Sequence, residues 1–257
     1  VAMGRSGTDV AREASELVLS DDNFATIVNG VEEGRVAYDN IRKVIYLLIS
    51  TGAAELVLMA MALATGMPHL PLLPVQLLWL NLVTNGIQDV ALAFESNEGD
   101  VLQRKPRPPQ ESIFNRLMVE RTVIAAIVMG VIAFLTFDWF VGDDTSKANV
   151  DAARNALLLL MVLFENIHIG NCRSETRSAF RMSPFRSPIL LSGALIAFGI
   201  HVLMMWTPFG HDLLGTRPVA LHDAAQLALL ALIIFPVMEL HKWSWRQRYQ
   251  KNPPSDR

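Results

Sequence analysis

The chain has 257 residues, of which 51% are hydrophobic and only 18% are charged, against roughly a quarter charged in an ordinary soluble domain. Its formal net charge is −3 and its mean hydropathy is +0.31. There is no overall basic excess that would indicate a nucleic-acid partner, and the single cysteine, Cys172, excludes an internal disulfide. Because the sequence begins at Val1 without a methionine, we expect it to be part of a longer protein.

The first forty residues have the pattern of a small α/β unit. Short apolar runs near 1–4 and 17–19 predict two strands with a short helix between them. Asp21-Asp22-Asn23 predicts the cap of a further helix near 24–34. The unit is too small to enclose a core of its own, and we expect the polar residues 35–43 to continue it as a helical stalk.

Six apolar segments reach the roughly 20 residues that a helix needs to cross a bilayer. They are residues 44–67, 71–94, 119–141, 152–172, 187–206 and 223–242. A buried soluble helical bundle is the alternative, but six such runs leave too little polar surface to cover it. The sequence therefore predicts an all-α membrane protein: a six-helix transmembrane domain over 41–257, after an α/β remnant and stalk over 1–40.

Lysine and arginine residues are concentrated in alternate connections between these segments. The connections 95–118 and 173–186 and the tail after Trp243 are basic, whereas 142–151 and 207–222 each carry one basic residue. The basic residues are Arg104, Lys105, Arg107, Arg116, Arg173, Arg177, Arg181, Arg186, Arg246, Arg248, Lys251 and Arg257. The positive-inside rule then predicts a multi-pass protein with both termini in the cytoplasm; the expected location is the plasma (inner) membrane.

Several acidic and amide side chains lie inside the predicted spans. A carboxylate near the middle of a bilayer costs about 2.5–3.5 kcal/mol on insertion scales, so it needs a partner or a function. Glu55 lies midway along the first span and Glu165 lies in the fourth. In the second span, Asn81, Asn85 and Asp89 recur every four residues, which places three polar side chains on one helix face.

These side chains are the oxygen ligands that Na⁺, K⁺ and Ca²⁺ prefer. The candidate ligands are Glu55, Asn81, Thr84, Asn85, Asp89 and Glu165. Gly86 is expected to weaken the helix beside them and to free backbone carbonyl groups, as in the broken helices of transporters. The alternative is that the asparagine and threonine side chains only form hydrogen bonds between helices. We expect such a structural role for His168 and for His201.

Several motifs resemble, in family order, the C-terminal part of the P-type cation ATPases, in the branch that includes the sarcoplasmic-reticulum calcium pump and the sodium pump. The stretch Pro74–Thr84, with the sequence PVQLLWLNLVT, is similar to the sixth membrane helix of that family. Other matching stretches are Ala2–Thr8, Asp21–Arg35, Arg104–Pro108 and Arg181–Phe185. The resemblance implies that residues 1–40 are the end of the family's phosphorylation domain and stalk.

The resemblance also implies roles for individual residues. Glu55 corresponds to a carboxylate ligand of the fifth membrane helix, Asn81 and Thr84 to ligands of the sixth, and Glu165 to the glutamate of the eighth. Gly52 occurs where calcium pumps have an asparagine ligand.

Asn85 also departs from the family pattern, because it stands where the family has a ligand aspartate. Asp89 follows one turn later, where no ligand is expected. A site with so little negative charge is not expected to hold two divalent ions; one Ca²⁺, a monovalent cation or proton-coupled exchange stay open.

The family's phosphorylated aspartate, nucleotide-binding domain and first four membrane helices have no counterpart in this sequence. ATP and Mg²⁺ are therefore expected only in the full-length pump, and the chain itself is expected not to be catalytic. Its expected partners are the lipid bilayer and the remaining N-terminal part of the pump, with no nucleic acid. The alternatives are a stand-alone channel or pump regulator without enzymatic activity, and an inert remnant.

Overall fold

The computed structural model describes residues 1–107 and 112–251 of the chain, and the side chains as far as residue 248. Three parts of the sequence predictions lie outside these described residues. They are Pro108, at the end of one matching motif, and two members of the basic tail, the Lys251 side chain and Arg257.

The N-terminal residues form a strand–helix–strand unit, as predicted. Its elements are β1 (Ala2–Met3), α1 (Asp9–Glu13) and β2 (Val18–Leu19). The two strands pair in parallel, and the Thr8 hydroxyl caps α1 by accepting from the amide of Ala11 at 3.2 Å. The Asp22 carboxylate accepts from the backbone amides of Arg5 and Ser6, both at 2.8 Å, which lowers its pKa below the usual value.

The rest of the described chain is helical. The helices are α2 (Ala25–Ala64), α3 (Pro74–Trp79), a π-helical turn (Leu80–Thr84), α4 (Asn85–Ala93), α5 (Arg116–Val141), α6 (Lys147–Cys172), α7 (Pro188–Trp206), α8 (Pro208–Leu214), α9 (Leu221–Leu232) and α10 (Ile234–Lys251). Short 3₁₀ turns at Ala179–Arg181 and Pro184–Arg186 precede α7.

Within residues 1–107 and 112–251, five helical segments are long and apolar enough to cross a membrane. They are Ala25–Ala64, Arg116–Val141, Lys147–Cys172, Pro188–Trp206 and Leu221–Arg248, the last comprising α9 and most of α10. The remaining predicted span, 71–94, is helical from Pro74 to Ala93 but is divided into α3, the π-helical turn and α4.

The helix predicted near 24–34, the stalk and the first span are one continuous helix, α2, of 40 residues. The domain boundary predicted at residue 40 therefore lies inside a helix. No proline interrupts 25–64, and the helix ends where Gly66 adopts φ +69° immediately before Met67-Pro68. The N-terminal unit is thereby connected to the apolar part through one helix.

The helices pack around α6, which is the most enclosed of the five candidate spans, with 72% of its apolar window buried inside the protein. The segment α3–α4 folds back on α2 as an antiparallel hairpin, in agreement with the predicted turn at 67–71. α5 packs closely on α2 at Gly130, where a Cβ would lie 2.7 Å from the carbonyl oxygen of Ala54. The buried polar side chains of α6, which are Asn155, Glu165, His168 and Asn171, therefore face the interior of the protein.

Ion pairs join the two basic loops that follow α4 and α6. Arg173 and Glu95, both almost fully buried, form a pair at 2.9 Å. Lys43 of α2 contacts Glu98 at 3.2 Å, and the Asn40 amide donates to the carbonyl oxygen of Glu95 at 2.8 Å. These contacts connect the middle of α2 to the loop after α4, and the Arg173–Glu95 pair joins that loop to the one after α6.

Candidate functional site

The centre of the site is a carboxylate–amide contact between α2 and the π-helical turn. Asn81 Nδ2 lies 3.1 Å from Oε1 and 2.9 Å from Oε2 of Glu55, and also donates to the carbonyl oxygen of Leu77 at 2.9 Å. Glu55 is 8% exposed. A buried carboxylate requires hydrogen-bond donors or positive charge, and here a neutral amide supplies the donor.

A second contact repeats this arrangement one helical turn away. Asn85 Nδ2 donates to Thr51 Oγ1 at 2.8 Å, and both side chains are buried. Thr51 and Glu55 are four residues apart on α2, as Asn81 and Asn85 are on the facing segment, so the two pairs align along the antiparallel hairpin. Of the three residues predicted to share one helix face, Asn81 and Asn85 both contact α2, whereas Asp89 forms no part of these two pairs.

The helix irregularity is a π-helical turn at Leu80–Thr84, where the amide of Asn85 donates to the carbonyl of Leu80, five residues earlier. The predicted weak point, Gly86, is wrong in position, because that residue lies within the regular helix α4. Thr84 Oγ1 also donates to the carbonyl oxygen of Leu80, at 3.0 Å. Hydrogen bonds from side chains to the preceding turn distort helices, and such π-turns frequently occur at functional sites.

Glu165 brings a second carboxylate to the cluster from α6. It is fully buried, and α6 packs against both the π-helical turn and α2. Among the described residues, neither oxygen of Glu165 has a partner at hydrogen-bonding geometry, and the same holds for Oδ1 of Asn85. Oxygen lone pairs from two helices are thus left available inside the bundle.

Asp89 lies one turn beyond Asn85 on α4 and is not part of the hydrogen-bonded pairs. It is half-buried, and in the described part of the chain its Oδ1 atom is buried without a hydrogen-bond partner. Hydrogen bonds thus join Glu55 to Asn81 and Thr51 to Asn85, and Thr84 lies in the same π-helical turn. Glu165 lies on α6, which packs against that turn, and Asp89 lies one turn beyond Asn85.

Sequence reasoning missed two polar residues of the site, Thr51 and Gln88. Thr51 precedes Glu55 by one turn, so the shared spacing of four residues could have indicated it. Gln88 follows Asn85 by three residues, and its side chain is fully buried with both polar atoms unpaired among residues 1–107 and 112–248. The expected structural role of His168 is confirmed, since its Nε2 atom lies 3.0 Å from Ser50 Oγ between α6 and α2.

The donor types restrict the kind of ion that could bind. No group of three or more histidine, cysteine, aspartate and glutamate side chains suited to a metal ion occurs in the described ranges. The cluster instead combines two carboxylates with amide and hydroxyl groups. Such oxygen donors suit hard cations such as Ca²⁺, Na⁺ or K⁺ rather than zinc or copper.

The fold and the site together indicate the class of this protein. It is a multi-pass membrane protein whose apolar helices enclose a group of buried oxygen donors. Residues 69–244 match the family described as "Cation transporting ATPase, C-terminus". The chain belongs to this family, and so to the P-type cation ATPases, as the C-terminal region of such a protein.

Individual relatives agree with this assignment. The chain is 40% identical over 208 residues to a calcium-transporting ATPase of Bacillus subtilis, an alignment that covers 81% of the chain and 23% of the relative. It is 35% identical over 219 residues to a probable cation-transporting ATPase F of Mycobacterium bovis, covering 85% and 24%. An endoplasmic reticulum-type calcium-transporting ATPase of Arabidopsis thaliana is 30% identical over 311 residues, covering 99% and 29%. The chain thus spans about a quarter of the length of these relatives.

Proposed function

We propose that this chain is the ion-path half of an ATP-driven cation pump and coordinates a translocated cation between α2, α4 and α6. The observation that carries the proposal is the buried Glu55 carboxylate, which is paired with the Asn81 amide beside a π-helical turn. An amide that donates to a carboxylate can rotate and present its oxygen to a cation instead. The site can therefore exchange an internal hydrogen bond for an ion.

The proposed ligands are Glu55, Asn81, Thr84, Asn85 and Glu165, with Asp89 adding negative charge from one turn away. Two central carboxylates support binding of one Ca²⁺ or a monovalent cation, and the resemblance to relatives named as calcium-transporting ATPases favours Ca²⁺. At position 52, where the family has an asparagine ligand, a Cβ would meet no described atom within 4 Å. The departure at Gly52 therefore removes a donor and leaves space in its place.

The proposal includes the arrangement in the membrane. We propose six spans, with 71–94 crossing as α3, the π-helical turn and α4, and with both termini in the cytoplasm of a cell whose plasma (inner) membrane holds the protein. Residues 1–40 are proposed to be the end of the phosphorylation domain and the stalk. α2 then connects that domain directly to Glu55, so a movement of its cytoplasmic end is transmitted to the site.

ATP and Mg²⁺ belong in this proposal to the full-length pump, whose remaining parts are the first four membrane helices and the actuator, nucleotide-binding and phosphorylation domains. The chain itself is proposed not to be catalytic. Phosphorylation elsewhere in the pump would drive the helices between states open to opposite sides of the membrane. The residues of this chain bind the cation, exclude water from it and set its affinity.

The test is to neutralise each central carboxylate in the full-length pump. Glu55→Gln and Glu165→Gln retain side-chain volume but remove an anionic ligand. A contact with a charged group contributes about 1.5–3 kcal/mol, so the cation concentration for half-maximal ATPase activation should rise by about tenfold or more. Activation is measured in membranes with Ca²⁺, Mn²⁺, Na⁺ and K⁺ at matched protein levels.

The matched control is Glu33→Gln, the same chemical change at an exposed position of α2. It should leave the half-maximal concentration unchanged. If both Glu55→Gln and Glu165→Gln behaved like this control for every cation, the proposed ion site would be rejected.

A further inference from the structure

The π-helical turn is held from its other side by α7. Trp79, the last residue of α3, donates from its indole Nε1 to Nδ1 of His201 at 3.3 Å, and the two rings are 6.5 Å apart between centroids. His201 is fully buried. It is an ionisable residue within α7, a helix whose other side chains are nearly all apolar. Ionisable groups within membrane helices are costly and usually serve a function.

Two more contacts fix the same segment on either side of the turn. Before it, Gln76 Nε2 donates to the carbonyl oxygen of Leu214, at the end of α8, at 2.8 Å. After it, Gly193 of α7 packs directly on Ala91 of α4, and an added Cβ would overlap the Ala91 side chain. α7 and α8 therefore contact the segment both above and below the π-helical turn.

Trp79 and the proposed ligand Asn81 point to opposite sides of the same helical segment. Residues two apart on a helix point about 200° apart, so Trp79 faces α7 whereas Asn81 faces α2. A π-helical turn is rare and intrinsically less favourable than α-helix, so it persists only where side-chain contacts maintain it. The Trp79–His201 bond supplies such a contact immediately before the turn begins.

We propose that His201 is a positioning residue for the cation site: it fixes Trp79, and so maintains the π-helical turn that directs Asn81 and Thr84 towards the two carboxylates. The inference rests on the proposed function of that site. His201 touches no proposed ligand, and acts through the indole of Trp79. Its Nδ1 must be unprotonated to accept the bond, so the acceptor, rather than a charge, is the feature that matters.

The experiment measures cation activation of the full-length pump carrying three variants. His201→Leu fills a similar volume without an acceptor, His201→Asn keeps an acceptor near the position of Nδ1, and Trp79→Phe removes the donor. The loss of one hydrogen bond corresponds to a change of about two- to tenfold in a binding constant, and so in the half-maximal cation concentration. His201→Leu and Trp79→Phe should raise the half-maximal cation concentration by that factor with maximal turnover nearly unchanged, and His201→Asn should restore most of the affinity.

The double variant His201→Leu with Trp79→Phe should be no worse than either single one, because both remove the same bond. Leu203→Ala, at a position of α7 that is 60% exposed, is the control and should activate normally. Unchanged activation in Trp79→Phe and His201→Leu would overturn the proposal, as would additive effects in the double variant or equal losses in His201→Asn. If His201→Leu failed to accumulate, Trp79→Phe and His201→Asn would decide alone.

Failure of this inference is distinguishable from failure of the proposed function. If Glu55→Gln shifts activation and the Trp79 and His201 variants do not, the site stands and only the positioning role is rejected. If Glu55→Gln and Glu165→Gln have no effect, the site itself is rejected and the positioning role with it.

Discussion

At the scale of single residues, the pairing of Glu55 with an amide is the feature that supports its role as a ligand in the proposed cation site. Across residues 1–107 and 112–248, no lysine or arginine forms an ion pair with Glu55. A fixed cation would compete with a transported one for the whole charge of the carboxylate, whereas an amide donor contributes only a hydrogen bond. Asn81 therefore satisfies the carboxylate without permanently neutralising it.

Asp89 provides a residue-scale test, because the family resemblance assigns no ligand there although the residue lies one turn beyond Asn85 on α4 with a buried Oδ1 atom that has no hydrogen-bond partner in the described part of the chain. We expect Asp89→Asn to raise the half-maximal cation concentration of the full-length pump by about threefold, less than Glu55→Gln, since a more distant charge contributes less. The double change Asn85→Asp with Asp89→Ala should restore part of the affinity by returning the charge to the family's ligand position. An activation curve for Asp89→Asn that coincides with the unchanged pump would remove Asp89 from the site.

At the scale of elements, α2 unites three predicted segments into one helix and carries both Thr51 and Glu55. Its middle is held to the loop after α4 by Lys43 and Asn40, and its apolar half is packed against α5 at Gly130. No proline, a common cause of sharp kinks, interrupts residues 25–64. In the proposed mechanism, a movement of α2 that displaces Glu55 would therefore also have to move these contacts.

Substitutions in the ion pair between Arg173 and Glu95 test how much the contact between the loops after α4 and α6 contributes to the stability of the protein. Their side chains are only 7% and 1% exposed, so Arg173→Met leaves a buried carboxylate unpaired, and we expect a loss of about 3–5 kcal/mol. The measurement is the thermal unfolding midpoint of the purified chain in detergent. Arg173→Met combined with Glu95→Leu should recover much of the loss, because no buried charge remains.

The control for this pair is Arg116→Met, which breaks the contact with Glu120 where the Arg116 side chain is 81% exposed. Such a surface pair contributes about 0–1 kcal/mol to stability, so the thermal unfolding midpoint of the Arg116→Met variant should change little. Equal shifts for Arg116→Met and Arg173→Met would contradict a stabilising role for the buried pair.

At the scale of the whole molecule, the arrangement in the membrane leads to a labelling prediction. With Cys172 replaced by alanine, Ser112→Cys and Thr145→Cys introduce single thiols at exposed positions on the connections before and after α5. Since one span separates them, a membrane-impermeant thiol reagent applied to intact cells should label Thr145→Cys alone, and Ser112→Cys only after permeabilisation. Labelling of both from the same side would overturn the proposed topology.

The sequence alone determined the apolar segments, the strand–helix–strand beginning and the candidate site residues other than Thr51 and Gln88. These follow from properties that repeat along the chain: span length, the four-residue spacing of Asn81 and Asn85, and the cost of placing Glu55 and Glu165 in an apolar helix. Motif resemblance indicated the family, which the comparisons then confirmed.

Only the tertiary structure decided which partners these residues have. The bonds between Glu55 and Asn81, between Thr51 and Asn85 and between Trp79 and His201 join residues far apart in sequence, so no local pattern specifies them. The π-helical turn lies at Leu80–Thr84 and not at the helix-weakening Gly86, so the local sequence did not locate it. Packing between helices selects among geometries that the local sequence leaves nearly equal in energy, and that selection positions the site.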